Sequence, residues 1–302
     1  MKSIKSKNAQ KEACTGWLLI APALVFMITF TVFPVFRSVY LSLCKYKLGM
    51  AAPEFIGLEN YIKLFSNKLF WKVMGNTIYF ALITIIPSMV AGLGLAVLVN
   101  RKGRHIGFVR TAYFYPVVMP MIAIASIWMF IYMAKNGLFD QLLMTFGFEP
   151  MNVLSDKEKV LPAMAVMYVW KEAGYMMVFF LSGLKAISPE VLEAAKIDGA
   201  TGLKRELYVT IPLVKPTIKT VTTMAATSGF LLYNEVFFLT NGAAGTKSIS
   251  FIIRELAITS SRTQYARANT IGAVQIVIGL ILVGVINVVF AESKESQRGG
   301  KA

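Results

Sequence analysis

The sequence predicts an all-α protein that crosses a membrane several times. Three observations carry this reading. Of the 302 residues, 56% are hydrophobic and only 16% charged, and the mean hydropathy is +0.61. A soluble domain of this size carries more charge on its surface. The apolar residues gather into runs of about 20, the length a helix needs to cross hydrocarbon. These runs are continuous rather than alternating, which argues against a membrane β-barrel.

Six segments qualify as spans, at about residues 17–40, 77–99, 108–133, 161–184, 217–239 and 270–290. They frame a transmembrane domain over residues 17–290, between an amino-terminal segment 1–16 and a tail 291–302. The net charge of +15 invites a nucleic-acid reading, but its distribution opposes it. Lys2, Lys5, Lys7 and Lys11 precede the first span; Arg101, Lys102, Arg104 and Arg110 follow the second. Lys185, Lys196, Lys204, Arg205, Lys215 and Lys219 lie in or beside the loop after the fourth span, and Lys294, Arg298 and Lys301 in the tail. All fall on one side of an alternating topology, the cytoplasmic side when both termini are inside. The membrane accounts for the charge.

The first apolar run extends beyond the core of a secretory signal and has no small-residue cleavage site, so it reads as an uncleaved span. Cys14 and Cys44 flank it. A helix of roughly 30 residues holds its ends about 45 Å apart, too far for a mutual disulfide. His105 is the one histidine and sits among Arg101, Lys102 and Arg104, an interfacial setting rather than a metal site. No serine–histidine–acid set suggests hydrolysis. Gly242-Ala243-Ala244-Gly245-Thr246-Lys247-Ser248 lacks the spacing of a phosphate-binding loop. The chain is not expected to hydrolyse ATP itself.

Between the fourth and fifth runs, residues 185–216 form a water-facing loop with its own helix punctuation. Ser188 is placed to cap, Pro189 suits the first helical turn, and Glu190 faces the positive end of the dipole. Gly199 lets the chain leave in a left-handed conformation. Leu203 to Tyr208 predict a second short helix, ended or bent by Pro212. Val191, Leu192, Ala194 and Ala195 supply a small apolar face suited to a partner's groove. Packing of that face on the chain's own bundle is the alternative.

The order Glu193-Ala194-Ala195, three residues, Gly199, nine residues, Val209, one residue, Ile211-Pro212 resembles the signature loop of permease subunits of binding-protein-dependent ABC importers. Asp198 and Ala200 fit the fuller form of that signature, and Val209 and Ile211 are apolar replacements within it. The resemblance runs from about residue 17 to 290. Gly57-Leu58-Glu59-Asn60-Tyr61, Trp71, Asn76-Thr77, Arg110-Thr111, Pro116, Pro120, Trp128 and Asn234-Glu235-Val236-Phe237 resemble landmarks of sugar permeases of the maltose and glycerol-phosphate type. The loop after the fifth span departs from the common Gly-Gly-Pro wording with Ala243-Ala244-Gly245.

The resemblance implies one half of a permease pair in a bacterial or archaeal cytoplasmic membrane. The other half is expected to be a paralogue. A cytoplasmic ATPase dimer carries ATP and Mg, and an external solute-binding protein delivers a sugar or oligosaccharide. No cofactor is expected in this chain, and no nucleic-acid partner. Glu193, Ala194, Ala195, Asp198, Gly199, Ala200, Val209, Ile211 and Pro212 are then the residues that dock on the ATPase. A polar solute also needs hydrogen-bonding and stacking groups at mid-membrane, where polar side chains face a bundle or a path. Tyr233, Asn234 and Glu235 lead that set, followed by Tyr175 and Gln275; support of neighbouring helices is the alternative for each. Lys171 and Glu172, being adjacent, are expected to point to different faces rather than pair. Glycerol phosphate or another polar solute fits the same architecture. The spans alone also suit an ion-coupled carrier, and the docking helix alone a membrane scaffold.

Overall fold

The apolar runs become long helices in the computed structural model, which describes residues 2–46, 50–101, 103–259 and 264–291. Lys102, Lys294, Arg298 and Lys301 lie outside the described residues, as do the tail from residue 292 and the side chains of Lys2, Lys5, Lys7 and Lys11. Helix α1 (Lys2–Met27) runs through a π-helical turn (Ile28–Val32) into α2 (Phe33–Ser42). The expected boundary after residue 16 thus falls inside a continuous helix. Proline 34 explains the π turn. Its ring would collide with the carbonyl four residues back, at Phe30, and it offers no N–H; a widened turn relieves both.

Two short strands, β1 (Cys44–Lys45) and β2 (Glu54–Phe55), pair antiparallel and lead to α3 (Glu59–Phe65). Next comes α4 (Lys68–Val99), 32 residues long. It is capped by Asn67, whose side-chain oxygen accepts the Leu69 N–H at 2.8 Å. Helices α5 (Ile106–Val118) and α6 (Met121–Ile131) meet at a 102° bend. Pro120 is the cause, because the residue before a proline is pushed to extended geometry, and Met119 has φ −74°, ψ 140°. After α7 (Leu138–Thr145), the chain builds α8 (Val160–Lys185). The loop that follows holds α9 (Pro189–Ile197), α10 (Gly202–Arg205), a second π turn (Glu206–Thr210) and α11 (Ile211–Leu213). Then come α12 (Lys215–Phe230), α13 (Asn234–Leu239), α14 (Ile249–Arg254) with a further π turn (Glu255–Thr259), and α15 (Tyr265–Val289).

Among the described residues, four helical segments are long and apolar enough to cross a membrane: Glu12–Ser42, Lys68–Val99, Val160–Lys185 and Tyr265–Val289. The α5–α6 pair is a fifth if it makes one crossing. The expected span 217–239 is not one helix. α12 stops at Phe230, Tyr233 leaves helical geometry with φ −133°, ψ −56°, and α13 restarts at Asn234. Two side chains hold the break open. Gln275 donates to the Phe230 carbonyl at 3.3 Å, and the Ser248 hydroxyl donates to that of Leu232. Carbonyls released inside a membrane protein need such partners.

The chain divides into two compact units. One comprises the chain up to Ser66 with Ile253–Val274. Its joints are polar. Asn60 donates to the carbonyls of Ser42 and Cys44, both at 2.9 Å, the Tyr61 hydroxyl lies 2.6 Å from that of Ser42, and Ser38 donates to Asn269 at 2.7 Å. Both cysteines are free thiols.

The other unit comprises Asn67–Ile252 with the chain from Gln275 onward. Its core lies along α4 and α8. At one end Ala96, Val99, Met177, Phe180 and Leu184 meet Val221 and Ala225 of α12. At the other Phe80, Met164, Met167 and Tyr168 meet Ile124 of α6 and Val236 of α13. Gly174 lets α5 approach α8, since a Cβ there would collide with the Tyr113 carbonyl; small residues serve close packing in membranes, where burial from water drives little. Asn76 donates to the carbonyls of Gly245 (2.6 Å) and Lys247 (3.0 Å), and Thr77 accepts the Ile249 N–H at 3.1 Å. These bonds fix the loop between α13 and α14.

Candidate functional site

The loop after α8 is built from helix ends. Ser188 takes the extended geometry of an N-cap, yet its side chain makes no capping bond to the helix. It instead joins the Glu190 carboxylate, which also accepts its own backbone N–H; the backbone bond first and Ser188 second hold the Glu190 pKa below the ordinary carboxylate value. The first turn keeps its negative charge where the dipole favours it.

The end of α9 is a complete Schellman motif. The Ala200 N–H donates to the Ala195 carbonyl at 2.8 Å and the Gly199 N–H to Lys196 at 3.1 Å. The motif requires a left-handed residue just past the helix, and Gly199 has φ +78°. Ala195, Asp198, Gly199 and Ala200 therefore sit close together for a backbone reason. Gly202 makes a second left-handed step at φ +54°, so α10 starts in a new direction.

The apolar face of α9 divides. Ala195 is buried and Leu192 half-buried on the chain's own bundle. Val191, Glu193, Ala194 and Asp198 are exposed, and Ile197 is 86% exposed. Leu203 and Tyr208 extend the open surface at 75% and 74%. The open and the inward-packed positions thus belong to different residues of one helix. Beneath α9 lies a cleft of about 370 Å³ whose lining includes Asn100, Arg101, Leu192, Arg205 and Glu206. Arg205 donates to Glu206 there at 2.6 Å.

Of the two expected effects of Pro212, ending or bending the second helix, the first does not occur. The π turn Glu206–Thr210 precedes Pro212, as Ile28–Val32 precedes Pro34, and the helix continues to Leu213. The widened turn again spares the carbonyl four residues before the proline, at Tyr208. Val209 and Ile211 are half-buried, Pro212 is exposed, and Thr210 turns inward.

Four of the mid-membrane candidates lie at the break between α12 and α13. Tyr233 stacks on Phe237 and Phe251 with ring centroids 5.6 and 6.5 Å away. Asn234 is exposed and Glu235 buried. Gln275 reaches the same break and also donates to Ser250 at 2.9 Å. Tyr175 packs instead on Phe179 of its own helix at 5.0 Å. Lys171 and Glu172 do pair, at 2.9 Å, contrary to the expectation that neighbours on a helix point apart. The long lysine side chain reaches its neighbour, and an unpaired charge within a membrane span is costly enough to favour that contact. This pair supplies the charged neighbours of Glu235.

The residue reading passed over Thr220, Thr223 and Thr227, spaced three and four apart along α12. Thr220 and Thr227 are exposed and Thr223 half-buried. Each hydroxyl donates to the carbonyl four residues earlier, at 3.1, 2.9 and 2.8 Å. Their helical spacing is visible in the sequence and is the signal that could have found them.

An α-helical membrane bundle with a structured, exposed loop between two spans has the build of a transport permease subunit. The chain belongs to the family described as binding-protein-dependent transport system inner membrane component, whose model matches residues 88–292. It is 32% identical over 272 residues to the probable ABC transporter permease protein YurN of Bacillus subtilis, covering 88% of this chain and 92% of that protein. To the trehalose/maltose transport system permease protein MalF of Thermococcus litoralis it is 30% identical over 252 residues, covering 83% and 85%. Its fold matches a chain of a bacterial alginate ABC transporter, solved with an alginate pentasaccharide-bound periplasmic protein, with a TM-score of 0.80. That match has 21% identity and covers 92% of this chain and 95% of that one.

Proposed function

We propose that this subunit forms half of the membrane pathway of an ATP-driven importer for a sugar or oligosaccharide. An external solute-binding protein delivers the substrate, a second permease completes the path, and a cytoplasmic ATPase pair supplies ATP hydrolysis with Mg. One observation carries the reading: α9 keeps Glu193, Ala194, Ile197 and Asp198 exposed while the Schellman motif at Gly199 fixes its direction. A short rigid helix so presented can pass a displacement from an ATPase to α8 and α12. Such coupling requires the docked partner to bind the inward- and outward-facing states differently. The trehalose/maltose transport system to which the Thermococcus litoralis relative belongs supports the substrate class.

In this reading both termini and the 185–216 loop are cytoplasmic. The path runs along the threonine face of α12 to Tyr233, Asn234 and Glu235. Exposed hydroxyl and amide groups at this depth suit a water-filled path better than lipid. Reconstitution of the permease pair with its ATPase and binding protein tests the proposal. Uptake of a labelled oligosaccharide on addition of ATP is expected. Uptake that ignores ATP and follows an ion gradient would establish a secondary carrier instead. Calorimetry of the binding protein then separates a sugar from glycerol phosphate or another polar solute.

A further inference from the structure

We infer that α7 is an interfacial helix, embedded in the leaflet at the membrane face opposite the 185–216 loop, with lipid covering its exposed side. The position follows from α8, a helix long and apolar enough to cross a membrane, which lies between the two segments. By sequence, residues 134–160 read as part of a water-facing connection. Within them, α7 has a side that is unlike one.

One side of α7 is stapled to the protein. Asp140, 1% exposed, accepts the N–H of Lys135 at 2.6 Å and of Met151 at 2.9 Å. It thereby ties the turn before the helix to the chain after it. Phe139 packs edge-on against Tyr132 at 5.8 Å. Gly137 is required in the turn, because a Cβ would strike the Ile131 and Met133 backbone.

The other side carries an open apolar stripe, flanked by the exposed Gln141 and Thr145. Leu138, Leu142 and Phe146 recur at every fourth residue, 61%, 52% and 76% exposed. Asp140 is the helix's one charged side chain, and it points inward. A face without charge beside a stapled face suits the boundary between headgroups and acyl chains. In water, the same patch would carry the unfavourable hydration of several large side chains.

Continuity with α6 selects lipid as the occupant. Between α6 and α7 lies a hollow of about 430 Å³ lined by Ser126, Ile127, Phe130, Ile131 and Leu138. Ile127 and Phe130 are exposed on a helix of the membrane domain, so the apolar surface passes from α6 onto α7 without a polar rim. The Ser126 hydroxyl is already committed to the Ile122 carbonyl at 2.8 Å. The hollow therefore suits an acyl chain rather than a hydrogen-bonding protein surface.

The test is collisional spin-label accessibility in the reconstituted transporter, with Cys14 and Cys44 replaced by serine. Labels are placed at Leu142→Cys and Phe146→Cys, with Lys157→Cys as the water-exposed control. Greater collision with oxygen than with a water-soluble nickel chelate is expected at both stripe positions, with the ratio inverted at the control. Nickel exceeding oxygen on the stripe would place α7 in water and overturn the inference. Protection from both would mean that a protein partner covers it, which overturns it equally. Two label sites keep the test decisive if one variant fails to assemble.

Discussion

Asp140 and Asn234 show how differently single polar residues can read. Asp140 accepts two backbone N–H groups away from water. Asp140→Ala leaves both unmet and is expected to lower stability by about 1–3 kcal/mol, read as an earlier thermal transition in detergent. An unchanged transition would mean that the staple contributes nothing. In the sequence this aspartate is one more acid in a connecting segment, because its partners are set by a turn and a chain crossing that periodicity does not encode. Asn234 is a compact amide beside Tyr233, exposed where α13 begins. Asn234→Ala is expected to reduce uptake at limiting substrate by roughly two- to tenfold, the loss of one hydrogen bond, with ATPase association intact. Uptake equal to the parent would remove Asn234 from the path, and failed assembly would make it structural.

At the scale of elements, length and hydropathy reported what lies within one helix, and packing decided the rest. The runs that became α4, α8 and α15 were readable because each is long and predominantly apolar. Pro120 stood in plain view, but its 102° consequence depends on what α6 packs against. The break at 231–233 has no proline. It exists because Ser248 and Gln275, distant in sequence, take the freed carbonyls. Gln275→Leu is therefore expected to impair folding or assembly rather than to alter substrate preference. A changed preference in a normally assembled complex would return Gln275 to the path. Close approach gives a second prediction. Gly174→Val inserts a side chain against the Tyr113 backbone and is expected to destabilise α5–α8 packing by about 1–3 kcal/mol, lowering membrane abundance. Undiminished abundance and thermal stability would show that the two helices part without penalty.

For the whole molecule, the proposed topology has both termini inside. Cysteine labelling of Gly103→Cys from the cytoplasmic side and Ala243→Cys from the outside is expected, and the reverse pattern would invert the proposal. The central claim is that α9, ended by its Schellman motif, couples ATP hydrolysis to transport. Gly199→Val tests it most directly. A left-handed position costs a residue with a Cβ about 1–2 kcal/mol, and Gly199 lies in open space, so the variant alters the loop's direction without disturbing a packed core. Membrane abundance, ATPase co-purification and ATP-dependent uptake are measured together on the reconstituted complex. The predicted result is normal abundance with the ATPase lost, or with the ATPase bound and hydrolysing but uptake abolished. Parental values of all three would contradict the account and leave the 185–216 loop without a role in coupling.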